Sequence, residues 1–242
     1  MLTKALFEPA PLQVAFAEAL ASAQSQDLPL RLRLLISSSA PELHNLRWEL
    51  LRNPKTNAQL ATYEMILFSR YLSSTDWRPV KLLSKGDLKA LVAVANPSDL
   101  GNYKLAPIDE TVEIERAQKG LNEIQITLLP KGTARATLNT LIESLQAQPC
   151  DILYLVCHGF IANGLPILCL ENAEGKMERV SGIDFVTRIR ELRNRPRLVV
   201  LISCQSAGKG TGDALTAIGP RLAEAGVPAV LAMQDKLSMQ TA

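Results

Sequence analysis

The feature that most constrains the fold is a regular alternation of short apolar runs with stretches of helical period after about residue 85. Such alternation is typical of crossover units that build a parallel sheet between layers of helices. Five runs have the length and apolar character of buried strands, at residues 89–95, 123–129, 151–157, 197–203 and 229–233. The sequence therefore predicts an α/β fold, a three-layer sandwich with a mainly parallel sheet.

The connecting segments contain signals for helix ends. We predict helices at residues 110–121, 134–148 and 213–225. Thr133 is the expected N-cap of the second of these, and Gly226 ends the third. Ser181 should cap another helix, of about ten residues, that ends near Asn194. Residues 165–170 are predicted as a short extra strand.

The first 85 residues have a different pattern. Residues 12–23 show helical period, and residues 30–36 alternate leucine with arginine, as a half-exposed strand does. Long apolar runs are few, so we expect no independent core here. We interpret residues 1–85 as an antiparallel, mixed α/β elaboration packed on the first edge of the sheet, and residues 86–242 as the α/β core.

Charge and cysteine usage restrict the function. Lys and Arg number 26 and Asp and Glu 24, a net charge of +2, which offers no large field for nucleic acid or an anionic membrane. The apolar runs are far shorter than the ~20 residues that span a bilayer, and the N-terminus has no signal-peptide core. Four cysteines without metal-site spacing suggest reduced thiols. We therefore expect a cytoplasmic protein with no metal and no cofactor.

Two predicted strands end in reactive side chains. Residues 151–157 run directly into His158 and Gly159, and residues 197–203 run directly into Cys204. If these parallel strands are neighbours, about 4.8 Å apart, both side chains lie at the same edge of the sheet. An imidazole can then activate the thiol as a nucleophile, and the amides of Gly159 and Cys204 can stabilise the oxyanion.

Structural roles compete with this interpretation. A cysteine at a strand end is more often a small buried apolar residue, and a histidine there is more often a satisfied structural residue. The glycine-rich segment 208–212 lacks the spacing of a phosphate loop, and Ser206 lacks the leading glycine of a nucleophile elbow. From the residues alone, both a catalytic and a structural role for His158 and Cys204 remain open.

Several motifs resemble one family. The runs LYLVCHG at residues 153–159, VVLISCQSAG at 199–208 and AGVPAVLAMQ at 225–234 are similar to those of the CHAT domain, as are LRWELL at 46–51 and VAVANP at 92–97. CHAT domains are caspase-like cysteine peptidases found mostly in bacteria and often fused to tetratricopeptide repeats. The resemblance covers almost the whole chain and implies a caspase–hemoglobinase fold.

The resemblance also implies a function. His158 and Cys204 would form a dyad that hydrolyses peptide bonds in one or a few protein targets, with no cofactor, under the control of a tetratricopeptide-repeat or other regulatory partner. By analogy, Asp99 or Asp235 would face a basic P1 side chain of the substrate, and Gln205 would contact the substrate next to the nucleophile.

The chain departs from the family pattern at two points, of which the first should be tolerated and the second leads to alternatives. Cys157 stands where many members have glycine or alanine, and members continue beyond the position of Ala242, so we expect the C-terminal closing part of the core to be missing. One alternative is a catalytically silent interaction module that binds a partner through an open sheet edge. A third interpretation is an α/β domain that binds a small molecule.

Overall fold

The computed structural model describes residues 2–36, 40, 43, 46–71, 80, 83–130, 132, 134–202 and 214–232, with residues 71 and 214–217 described by their backbone alone. The chain divides into two compact units, Met1–Ser73 and Ser74–Ala242.

In the residues that the structure describes, the first unit contains two α-helices and two strands: α1 (Leu2–Leu6), α2 (Ala10–Ser25), β1 (Leu30–Leu35) and β2 (Ile66–Tyr71). In β1 half-buried leucines alternate with exposed arginines, as the sequence predicts. The two strands pair in parallel, with Leu30 opposite Ile66, so the antiparallel arrangement expected for this segment is wrong. Thirty residues separate β1 from β2, which is long enough for the chain to return and pair in the same direction.

The first unit has its own apolar cluster, contrary to the expectation that it lacks the residues for one. Its buried members are Phe7, Phe16, Ile36, Trp48, Leu51, Leu60 and Ile66. The Trp48 indole also donates a hydrogen bond to the Leu43 carbonyl, at 2.7 Å. Most of these side chains come singly from helices and loops, which is why a search for long apolar runs does not find this core.

The second unit is built on a five-stranded parallel sheet. Its elements, in chain order, are β3 (Lys89–Val94), α3 (Glu110–Gly120), β4 (Gln125–Leu129), α4 (Leu138–Ala147), β5 (Ile152–Val156), β9 (Leu198–Ile202), α6 (Ala214–Glu224) and β10 (Ala229–Ala232), with a small second sheet and helix α5 (Gly182–Glu191) between β5 and β9. The strand order is β10-β9-β5-β3-β4. All five strands were predicted, and the parallel sheet is confirmed.

Helices cover both faces of this sheet. Leu91 and Ala93 of β3 belong to a buried cluster that includes residues of α4, α5 and α6. Val92 and Val94 point the other way, into a cluster with Ala117 of α3. The three-layer sandwich is therefore confirmed, and the continuous burial of β3 follows from having a helix layer on each side.

The second sheet is antiparallel and has the order β6-β7-β8. It contains β6 (His158–Ala162), β7 (Leu165–Glu171) and β8 (Met177–Ser181). Only β7 was predicted. The turn between β6 and β7 is Asn163-Gly164, with φ of 51° and 74°, and this Asn-Gly pair is a strong hairpin signal.

Two helix boundaries show what the sequence could and could not predict. Ser181 caps α5 as predicted, accepting a hydrogen bond from the Ile183 amide at 3.1 Å. For α4, however, the cap is Thr137, which forms a capping box with Thr140, so the helix begins later than the predicted start at residue 134. The physical reason is a tertiary contact: both backbone groups of residue 136 are held by Glu171, which keeps this segment out of the helix. Thr133 itself lies outside the described residues.

Candidate active site

His158 lies where the chain passes from the parallel sheet into the antiparallel sheet. The Val156 carbonyl accepts from Ala95 at 2.9 Å, and the Cys157 amide donates to the Ile202 carbonyl at 3.1 Å, so the parallel ladder continues to the residue before His158. His158 is the first residue of β6 and is 2% exposed. The histidine is therefore fixed at the carboxyl end of the central strand β5.

The imidazole of His158 is oriented by a backbone carbonyl. Its Nε2 lies 2.8 Å from the carbonyl oxygen of Ala106. Because a carbonyl oxygen only accepts, Nε2 must carry a proton and donate it to this bond. In the neutral imidazole the lone pair is then on Nδ1, which makes Nδ1 the nitrogen that can take a proton from another group.

Asn96 holds the loop that presents this carbonyl. Its Oδ1 accepts from the Ile108 amide at 2.9 Å, and its Nδ2 donates to Oε1 of Glu110 at 3.3 Å. Ile108 is itself buried in the cluster beneath α3. Asn96 belongs to the VAVANP motif at residues 92–97, and no role was predicted for its side chain. The signal available was an amide side chain directly after a buried strand.

Gly159 and Asp99 are the other predicted site residues in the described part of the chain. Gly159 lies in β6 opposite Leu168 and is half-buried. The Asp99 carboxylate accepts a hydrogen bond from the Met177 amide at 2.7 Å, which ties the loop after β3 to strand β8. The roles of Gly159 in the oxyanion hole and of Asp99 in substrate binding stay predictions.

Cys204, Gln205 and Asp235 lie outside the described residues. The register of β5 and β9 nevertheless bears on the reasoning that links His158 to Cys204. The two strands are parallel neighbours, as that reasoning required, and their last paired residues are Val156 and Ile202. In the sequence His158 and Cys204 each come two residues after these partners.

The three described cysteines are buried thiols. Cys157 and Cys169 are 0% exposed and Cys150 is 7% exposed, and none of them is in a disulfide. Burial raises the pKa of Cys150, Asp151 raises it further, and Lys89 partly offsets both effects. Burial raises the pKa of Cys169 to about 11, against a smaller opposing effect of Arg179. At neutral pH both of these thiols stay protonated, which makes them poor nucleophiles.

The described residues contain neither a cluster of side chains for a metal ion nor a helix that could cross a membrane. They contain no group of three His, Cys, Asp or Glu side chains arranged to hold a metal ion. None of the helices found there is both long enough and apolar enough to cross a membrane.

A five-stranded parallel sheet between two helix layers, with a histidine at the carboxyl end of its central strand, defines an α/β protein of the caspase-like class. The family model of the CHAT domain matches residues 1–242. The chain therefore belongs to the CHAT domain family, which is related to the caspase-like cysteine peptidases, and the resemblance seen in the motifs is confirmed. Comparison with curated proteins gives no match.

Proposed function

We propose that this chain is a cysteine endopeptidase that cleaves peptide bonds in specific protein targets, with His158 and Cys204 as its catalytic pair. The observation that carries the proposal is the buried His158 imidazole, whose Nε2 is hydrogen-bonded to the Ala106 carbonyl at the carboxyl end of β5. Because this bond keeps the proton on Nε2, Nδ1 is the nitrogen that can accept the thiol proton. Membership of the CHAT family supports the same chemistry.

In the proposed reaction, Nδ1 of His158 takes the thiol proton of Cys204, and the sulfur attacks the scissile carbonyl carbon. The amides of Gly159 and Cys204 stabilise the oxyanion that forms. The imidazolium then protonates the leaving amine as the C–N bond breaks, which leaves a thioester. Water, activated by the same nitrogen, hydrolyses the thioester, releasing the acid and the free thiol.

The Ala106 carbonyl has a second role in this scheme. When His158 becomes an imidazolium, Nε2–H donates to that carbonyl from a positively charged ring, and such a bond is stronger than a neutral one. The carbonyl therefore stabilises the charged intermediate as well as the starting tautomer. This role parallels that of the group that orients the histidine in other hydrolases.

The proposal includes regulation by a partner or a fused sensor domain, which follows from the frequent fusion of CHAT domains to tetratricopeptide repeats. The alternative is a catalytically silent interaction module. The two functions differ in the reactivity of Cys204, because a module needs no activated thiol.

Alkylation by iodoacetamide, followed by mass spectrometry of each cysteine, tests the proposal. At pH 6.5 a thiol with the ordinary pKa of about 8.5 is only about 1% thiolate. We expect wild type to be modified at Cys204 well before Cys150, Cys157 and Cys169, which are buried. His158→Ala should slow this reaction at least about tenfold, because the activating base is lost. Slow labelling of all four cysteines, unchanged by His158→Ala, would support the silent module.

A further inference from the structure

The antiparallel sheet places an arginine in the same row as His158. His158 is opposite Cys169 across β6 and β7, and Cys169 is opposite Arg179 across β7 and β8. Residues directly opposite each other in an antiparallel sheet project from the same face. His158, Cys169 and Arg179 therefore share one face, and Phe160, two residues after His158, lies on it as well.

The segment that follows β3 runs over this face. The Ala106 carbonyl is bonded to His158, the Tyr103 ring contacts Arg179, and the Asp99 carboxylate is bonded to the amide of Met177. The opposite face of the sheet contributes Leu168, Leu170 and Val180 to the main apolar core. On the face that carries His158, His158 and Cys169 are buried, and the row becomes exposed at Arg179.

The Arg179 guanidinium lies over two aromatic rings. Its Cζ is 5.6 Å from the ring centre of Tyr103 and 5.6 Å from that of Phe160. Arg179 is exposed, and Tyr103 is 42% exposed. In the described part of the chain, the ion pairs involve other residues and none includes Arg179. A guanidinium in cation–π contact with rings can still direct its N–H edge to a carboxylate through two parallel hydrogen bonds.

We infer that Arg179, Tyr103 and Phe160 form a subsite that binds an acidic side chain of the peptide substrate. The inference rests on the proposed function, because it takes the cleaved bond of a peptide to lie next to the pair of His158 and Cys204. Two strand spacings of about 4.8 Å put the backbone of Arg179 about 10 Å from that of His158, a distance that an extended peptide spans in about three residues. The acidic residue therefore lies about three positions from the cleaved bond. The substrate class is a polypeptide with Asp or Glu at that position.

The test measures peptide binding without turnover. The full chain carrying Cys204→Ser is titrated into fluorescein-labelled heptapeptide pools, each with Glu or Gln fixed at one position, and anisotropy gives the dissociation constant. The same titrations use Arg179→Ala, Arg179→Lys and Arg190→Ala in that background. Arg190 is also an exposed arginine of the second unit, on α5, and serves as the matched control. Thermal unfolding by circular dichroism verifies that each variant is folded.

One Glu pool should bind about tenfold more tightly than its Gln counterpart, the effect of a charge-assisted hydrogen bond. Arg179→Ala should abolish that preference, Arg179→Lys should keep part of it, and Arg190→Ala should keep all of it. The inference is overturned if no position shows a Glu preference, or if a folded Arg179→Ala variant retains it.

Cleavage by wild type, measured separately on the same pools, distinguishes this inference from the proposed function. Cleavage with no Arg179-dependent preference refutes the subsite and leaves the peptidase standing. An Arg179-dependent preference without any cleavage refutes the peptidase and leaves a binding site for acidic peptides.

Discussion

Replacement of Asn96 by alanine tests whether the Ala106 carbonyl positions the candidate catalytic histidine. The substitution removes the bond from the Ile108 amide, at 2.9 Å, and the bond to Glu110, at 3.3 Å. The amide of the buried residue Ile108 then loses its hydrogen-bond acceptor, and an unsatisfied buried donor costs about 1–3 kcal/mol. The loop that carries Ala106 can relieve this cost only by moving.

A moved loop weakens the bond between Nε2 of His158 and the Ala106 carbonyl. A hydrogen bond to a charged group contributes about 1.5–3 kcal/mol, and its loss from the imidazolium corresponds to a rate reduction of roughly ten- to a hundredfold. We therefore expect Asn96→Ala to slow the alkylation of Cys204 by at least about tenfold, because a displaced imidazole is a less effective base.

The assay is the initial rate of Cys204 alkylation at a temperature at least about 20 °C below the unfolding midpoint of every variant, so that loss of folded protein does not contribute. Asn102→Ala is the matched control, because Asn102 is an exposed asparagine of the same connection between β3 and α3. A wild-type alkylation rate in folded Asn96→Ala would refute the reasoning that the loop positions His158.

Three further predictions concern stability and thiol ionisation. Gly182→Ala should destabilise the protein by about 1–3 kcal/mol in urea unfolding, since a Cβ there would lie 2.7 Å from Cγ of Pro166 and 2.9 Å from Cγ1 of Ile218. An unchanged unfolding midpoint would contradict this steric reasoning. Glu171→Ala should cost about 1–3 kcal/mol by the same measurement, because the carboxylate accepts from the buried Ala136 amide at 2.6 Å, and an unchanged midpoint would show that this bond is dispensable. Burial raises the pKa of the Cys169 thiol from 9.0 to about 11, so the folded state holds the thiol proton more tightly than the unfolded state does, and the free energy of unfolding falls by roughly 2–3 kcal/mol as the pH rises from 9 to 11. Cys169→Ala should show a correspondingly smaller fall between pH 8.5 and 10.5. Parallel plots of unfolding free energy against pH for the two proteins would refute the assignment.

The elements of the parallel sheet were predictable because each central strand is buried on both faces. Continuous burial requires continuous apolar sequence, and KALVAVA at residues 89–95 has no other simple interpretation. Strand β8 gives no such signal, because its sequence MERVS has one buried residue, Val180, among exposed and half-buried ones. Strand β6 could have been found from the Asn163-Gly164 turn that follows it.

The surroundings of His158 illustrate a second limit. The histidine itself was predictable from its place after a buried strand, but its partner is the backbone carbonyl of Ala106, a group that every residue possesses. The start of α4 is a second example. Thr133 and Thr137 can both cap a helix by their chemistry, and the helix begins after Thr137 because a carboxylate far away in the chain, that of Glu171, binds the Ala136 amide. Sequence patterns report local preferences, and these two choices depend on contacts between residues far apart in the chain.

The position of His158 at the boundary of two sheets explains how a strand end can hold a side chain firmly. The preceding residue, Cys157, is fixed by the parallel ladder through its bond to Ile202, and His158 itself pairs with Cys169 in the antiparallel sheet. A third element, the loop after β3, fixes the ring through Ala106. Because these restraints come from three directions, displacing the imidazole requires breaking at least one of them. The backbone of a loop residue lacks these restraints. Proton transfer requires hydrogen-bond distance between donor and acceptor, and a histidine held by two sheets keeps that distance more precisely than one in a loop.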